Sequence, residues 1–241
     1  MLENIRPEDV LFIDIETVPA CPSFEEMKPE MKTLWEKKSL QIKNEGNSSE
    51  ELYNRAGIYA EFGKIICISA GFISERNPFR FRLKSFYGDR EKDVLEGFSG
   101  LLSKTSRGRD ITLCAHNGKE FDYPYIARRM IINRLPIPSL LDNAGRKPWE
   151  IKLLDTMELW KFGDYKSYTS LALLTTALGI PSPKDDIDGS MVADTYWKER
   201  QLERIVRYCE KDVLAVAQVF LRFMNLETIP EDRIESVTLF D

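Results

Sequence analysis

The chain has 241 residues, 43% of them hydrophobic, which is ample for a sizeable packed core in one large domain or two small ones. A formal net charge of -5 argues against a protein that coats nucleic acid by neutralising many phosphates, but not against one that meets a strand only at its end. Cys21, Cys67, Cys114 and Cys209 form no CxxC pair, so neither a zinc site nor a disulfide framework is expected and a reducing cytoplasm fits.

Residues 1–10 carry acids and a proline where an export signal needs a basic start and an apolar run, and no apolar stretch approaches the ~18 to 20 residues of a membrane span. Residues 10–15 are mostly apolar and partly β-branched, the pattern of a strand covered on both faces. Residues 24–57 turn to Glu, Lys, Asn and Ser and read as a helical insertion, two helices about a loop at 44–49. Residues 64–73 and 79–87 suggest an antiparallel hairpin turning at 74–78. A helix is expected over 90–103, a buried strand over 111–115, and then a helix to Asn133 with Pro124 in its first turn. Pro136, Pro138 and Pro148 punctuate a loop, residues 151–154 suit a strand, and helices follow over 167–178, 189–200 and 201–226, leaving 227–241 as a mobile tail. Strands first and helices last, with an alternating stretch between, indicate an α/β fold: a mixed sheet with helices packed on its faces.

Acids stand out against this pattern. In Phe12-Ile13-Asp14-Ile15-Glu16-Thr17 the two-residue period of a strand sets Asp14 and Glu16 side by side on one face. The solvent side of an edge strand would carry acids too, but the neighbours here are Phe12, Ile13 and Ile15. Asp122 precedes the Pro124 helix, where capping that helix is its plainest role. On the last helix Ile205, Cys209, Val216, Phe220 and Phe223 repeat at helical spacing, and Asp212 falls inside that apolar stripe. Burying an ionised carboxylate without compensation costs several kcal/mol, so Asp212 calls for a metal, a basic partner or a raised pKa. Tyr208, one turn earlier, shares its face, as an ordinary core tyrosine would. If the four acids converge, two of them about 4 Å apart repel by roughly 4 kcal/mol at an effective dielectric near 20. Two divalent cations would cancel that charge, and all-oxygen donors suit Mg2+ or Mn2+ better than zinc.

In chain order, Phe12-Ile13-Asp14-Ile15-Glu16, Asn117-Gly118-Lys119-Glu120-Phe121-Asp122 and Tyr208-Cys209-Glu210-Lys211-Asp212 resemble the three motifs of the DEDD exonuclease superfamily, whose fold is ribonuclease H-like. Tyr208 stands four residues before Asp212 and Arg207 occupies the place of the alternative histidine, which resembles the tyrosine subclass, DEDDy. The only histidine, His116, sits beside the second motif and is expected either to be structural or to support the site residues from behind. Ile187-Asp188-Gly189-Ser190-Met191-Val192 together with the third motif resembles predicted bacterial exonucleases similar to the proofreading domain of family B DNA polymerases, over residues 11–226 apart from the insertion.

That resemblance implies a single exonuclease domain over residues 1–241 that trims the 3' end of single-stranded DNA and releases nucleoside 5'-monophosphates. It implies that Asp14, Glu16, Asp122 and Asp212 hold two divalent cations, Mg2+ or Mn2+, that Tyr208 orients the attacking water, and that Thr17, Asn117 and Phe121 contact the terminal nucleotides. Exoribonucleases share the same four acids and tyrosine, whereas a non-catalytic nucleic-acid or replisome adaptor would be expected to lack a carboxylate; none is missing. DNA proofreading or repair in the cytoplasm is the implied setting.

Three lesser features complete the reading. Arg80/Arg82/Lys84, Arg107/Arg109, Arg128/Arg129/Arg134 and Lys198/Arg200/Arg204/Arg207 are each best read as solvated faces, though any could touch phosphates. Asp185, Asp186 and Asp188 lack the ligand spacing of a calcium loop and read as a solvated turn. Leu239 and Phe240 make residues 236–240 loosely resemble a sliding-clamp-binding peptide, with folding back onto the domain as the simpler expectation.

Overall fold

The computed structural model describes all residues except 1, 3–4, 43–46, 77, 107–108, 165–167, 182–185 and 241. The covered strand expected near the N-terminus is β1 (Val10–Pro19), which runs on past Ile15 because Val18 and Pro19 are also buried and paired. It pairs antiparallel with β2 (Gly63–Arg76), and β2 pairs antiparallel with β3 (Phe79–Tyr87), forming the expected hairpin. Asn77 of the predicted turn lies outside the described residues. On the other flank β1 pairs in parallel with β4 (Thr112–Ala115), and β4 with β5 (Leu154–Asp155). The six-stranded sheet closes with β6 (Ile234–Ser236), parallel to β3, in the order β5-β4-β1-β2-β3-β6.

Alternation along β1 divides the interior. Leu11, Ile13 and Ile15 face one side and join the core with α2 (Glu91–Thr105) and α3 (Asp122–Ile132). Val10 and Phe12 face the other and pack against Val216, Ala217 and Phe220 of α7 (Leu202–Phe223), with the Phe12 and Phe220 rings edge to face at 5.4 Å. A buried ion pair locks α2 to α3: Arg129 donates Nε to Glu91 Oε1 at 2.7 Å and Nη2 to Oε2 at 2.5 Å, while Ile65 N–H reaches Oε1 at 2.7 Å. Arg129 therefore leaves the expected basic surface group.

Several short elements depart from expectation. The 3-10 turn Tyr53–Ile58 replaces a second insertion helix after α1 (Pro29–Ile42), and residues 44–46 of the expected loop lie outside the described residues. An unexpected helix, α4 (Thr156–Lys161), follows β5 directly. Helix α5 (Leu171–Ala177) begins later than 167 because Ser170 Oγ caps it, accepting from Leu173 N–H at 3.3 Å; residue 167 itself lies outside the described set. Helix α6 (Val192–Trp197) stops short because Arg200 takes a left-handed conformation (φ 58°), which separates it from α7. The region expected as a mobile tail contains β6, whose backbone finds its partner on the free edge of β3. Among the described residues no helix is long and apolar enough to cross a membrane.

The insertion has a core of its own, Met27, Trp35, Leu52, Tyr53, Ala56 and Phe62. Tyr125 Oη to Gly57 O and Arg129 Nη1 to Ala60 O, each 2.7 Å, tie it to α3.

Candidate active site

Strands β1, β4 and β5 run parallel, so their C-terminal ends share one edge of the sheet, and the first residue of α3 lies just after β4. In open α/β sheets that edge is where ligands bind. Asp14 and Glu16 stand there on the α7 face of β1, just before a register irregularity between Glu16 and Thr17. Such bulges re-aim side chains. Asp122 is delivered by the start of α3, and Tyr208 and Asp212 by one flank of α7.

Glu16 is 8% exposed and Asp122 3%, and Asp14 is half-buried. Burial raises the Asp14 pKa well above the carboxylate range, and Asp122, Glu16 and Asp212 each raise it further; the Cys209 thiol opposes them, donating to Asp14 Oδ2 at 3.2 Å. Glu16 is raised by burial and then by Asp212, Cys67 and Asp122. Asp122 is pushed up to about 7 by burial, with Asp155 and Asp212 adding to it and the backbone N–H groups of Asp122 and Ile15 opposing. The Tyr208 hydroxyl is hydrogen-bonded to Asp212, and its pKa is raised by burial and by Asp212, Glu16 and Asp14. Five residues distant in sequence thus act on one another at one place. The second-motif Asp is not the helix cap that local sequence suggests: it is the first residue of α3, whose cap position is Phe121.

The loop between β4 and α3 is held by a residue that the sequence pattern did not single out. Asp155, at the end of β5, caps α4 by accepting from Met157 N–H at 2.9 Å, and also accepts from Asn117 N–H at 2.9 Å and Lys119 N–H at 3.0 Å. The only sequence signal is a capping Asp-Thr after Leu153-Leu154. His116 bridges Thr156 Oγ1 and Thr169 O, both at 2.9 Å, and burial lowers its pKa; as expected, it serves the scaffold. Asn117 is left-handed (φ 61°), and its Oδ1 is buried with no hydrogen-bond partner among the described residues. Phe121 packs against Tyr125 at 5.3 Å as part of the core, and the Thr17 side chain bonds the Tyr125 hydroxyl. Asn117 therefore offers an open acceptor, whereas Thr17 and Phe121 are both engaged with Tyr125.

A family described as predicted 3'-5' exonucleases related to the exonuclease domain of PolB matches residues 58–236. This chain belongs to that family. As a PolB-related exonuclease it is a nuclease and a nucleic-acid-binding protein. The matched segment contains Asp122, Tyr208 and Asp212, and begins after β1 and the insertion, so Asp14 and Glu16 join the site through the fold. The architecture is similar to that of the family B DNA polymerase from the hyperthermophilic archaeon Pyrobaculum calidifontis, with a TM-score of 0.51 and 16% identity over 89% of this chain and 25% of the polymerase. That similarity bears on the fold alone, which is α/β and ribonuclease H-like as expected. No curated protein matches the chain.

The donor set of this exonuclease fits a divalent cation. Ligating atoms of Asp14, Glu16 and Cys209 lie within 4.8 Å of one another, and the leading influences on Asp14 and Glu16 are burial and other acids, with no cation among them. Two hard carboxylate donors that repel each other, beside the softer Cys209 sulfur, suit a divalent cation. Several of the expected basic residues are paired elsewhere: Arg80 with Glu75, Arg82 with Glu235, Lys198 with Asp194, and Arg204 with Glu199 and Asp186. Arg107 and Asp185 lie outside the described residues, and Asp188 accepts from Ser190 N–H at 2.8 Å within a turn.

Proposed function

We propose that the protein is a single-domain, metal-dependent 3'-5' exonuclease of the DEDDy type, acting on single-stranded DNA and releasing nucleoside 5'-monophosphates. One observation carries the reading: Asp14 and Glu16 of β1, Asp122 of α3 and Asp212 of α7 meet at the sheet edge closely enough for the first three to feel the charge of the last, beside a tyrosine bonded to Asp212. Asp14, Glu16, Asp122 and Asp212 would hold two Mg2+ or Mn2+ ions. Bound there, such ions supply a water of lowered pKa and charge neutralisation for an in-line phosphodiester displacement.

The protein's own groups have separate tasks. Tyr208 keeps its proton, because it is buried and its neighbours are acids, and so presents a hydroxyl held by Asp212 that orients the attacking water. Asn117 Oδ1 accepts a hydrogen bond from the terminal nucleotide, which would satisfy a buried acceptor that the protein leaves open. Thr17 and Phe121, both held against Tyr125, would contact the terminal nucleotides from there. A cytoplasmic role in DNA proofreading or repair belongs to this reading. A sliding clamp would find Leu239, 85% exposed, but would have to lift residues 236–240 from the protein.

The test is digestion of 3'- and 5'-labelled single-stranded DNA and RNA with Mg2+, Mn2+ or chelator. Metal-dependent loss of nucleotides from the 3' end of DNA, faster than from RNA, is expected. Faster loss from RNA would reassign the substrate, and a fully active Asp212→Ala variant would overturn the mechanism.

A further inference from the structure

The site leaves one buried carboxylate of the third motif unused. Glu210 is 8% exposed and lies roughly 200° around α7 from both Tyr208 and Asp212, at about 100° per residue. Three hydroxyls hold it. Its Oε1 accepts from Ser85 Oγ of β3 at 2.9 Å, from Ser236 Oγ at the end of β6 at 2.9 Å, and from Thr238 Oγ1.

Ser236 and Thr238 belong to a C-terminal strap that is itself well fastened. Val237 N–H reaches Leu83 O at 2.9 Å, Ser85 N–H reaches Thr238 Oγ1 at 2.8 Å, and Tyr87 Oη donates to Leu239 O at 2.8 Å. Phe240 then lies against Tyr87, ring centroids 5.9 Å apart, with the Arg207 guanidinium 4.3 Å over its ring. The strap thus grips α7 at Arg207 and Glu210, on either side of Tyr208 and Cys209. Beneath the helix the polar contacts continue from Ser85 Oγ to Ser69 Oγ at 2.8 Å and on to Cys67 Sγ at 3.6 Å. Cys67 packs on Cys209, which donates to Asp14. Residues 237–240 lie beyond the segment matched by the family.

We propose that Glu210 is a positioning residue, which anchors the C-terminal strap to α7 and so sets the rotation of the helix turn that presents Tyr208 and Asp212. This inference rests on the nuclease reading above for its catalytic consequence. A carboxylate oxygen with converging donors from two strands and the strap has one satisfactory position, so the helix cannot roll without leaving a buried acceptor unmet. Misplacing a reacting group by about 1 Å can cost a hundredfold in rate.

The experiment compares full-length wild-type protein with Thr238→Val, Thr238→Ser and Glu210→Ala, measuring kcat and KM on single-stranded DNA with Mn2+. The Tyr208 ring signal is followed in parallel in 13C-tyrosine-labelled protein, assigned with Tyr208→Phe. Thr238→Val is expected to move the Tyr208 signal and lower kcat about tenfold with KM within about twofold, and Thr238→Ser to restore both. Glu210→Ala should do the same or more; if it fails to fold, the Thr238 pair still decides. A Tyr208 signal unmoved in Thr238→Val, or a moved signal with unchanged kcat, overturns the proposal. Wild-type protein inactive on every polymer sinks the nuclease reading instead, and the Tyr208 signal alone then judges whether the strap positions the helix.

Discussion

The insertion core and the acidic site are both buried, and they are built on opposite principles. Trp35 is fully buried, with Tyr53, Tyr59 and Phe62 around it at 6.1, 6.2 and 5.3 Å, and its indole N–H reaches Ser49 O at 2.8 Å. Every contact there favours the folded state. At the sheet edge, Asp14, Glu16 and Asp122 are desolvated among like charges, and each neighbouring acid makes ionisation harder. One region supplies stability and the other withdraws it, which is how strongly shifted carboxylates in a cleft mark a functional site.

Substitutions should separate the two. The largest effect belongs to Asp14→Ala or Asp212→Ala, expected to lower metal-dependent digestion by about a thousandfold or more. The melting temperature of metal-free Asp14→Asn should hold or rise, since a repulsion is removed. A marked fall in its Tm would break the contrast. Trp35→Ala should do the reverse, costing about 3 to 5 kcal/mol in denaturant unfolding while the remaining folded protein keeps its kcat. Loss of kcat at full folding would show that the insertion serves the chemistry.

Next in size is Tyr208→Phe, which removes the hydroxyl bonded to Asp212 and should slow turnover about ten- to hundredfold. His116→Ala should change turnover far less, because its ring bonds Thr156 and Thr169 and not the acids. Equal losses in the two variants would remove the distinction between chemistry and scaffold.

The smallest effect is a dependence of stability on pH. Asp122 titrates at about 7 in the fold against roughly 3.9 in an unfolded chain, so the folded state holds the proton more tightly. The stabilisation this contributes is complete below about pH 4 and is lost as the pH rises through about 7. Metal-free protein should therefore lose Tm across that range, and Asp122→Asn should flatten the slope. Mg2+ or Mn2+ should raise Tm by binding the native state, more at pH 8 than at pH 5, because ions and protons compete for the same oxygens. A metal shift independent of pH would place the ions elsewhere.

How much of this was legible in the chain depends on the range of the interaction. The pairing of Asp14 with Glu16 follows from strand alternation, and that of Tyr208 with Asp212 from the helical turn. Asp155 escaped notice because β5 is two residues long and α4 six, too short to leave a period, and its partners Asn117 and Lys119 lie far back in the chain. The seat of Phe240 under Arg207 depends on β6 joining β3, a pairing that residues 227–241 do not announce.

The sequence by itself determined the fold class and the order of the motifs, since periodicity and spacing are local properties of a chain, while the four acids were named as a set through the family resemblance of those motifs. Only the tertiary structure decided that those acids share one desolvated place and that Asn117 keeps an acceptor open. It also decided that Glu210 of the third motif faces the strap and not the acids. Charge coupling and hydrogen-bond satisfaction act through space, between residues whose separation along the chain carries no trace of their contact.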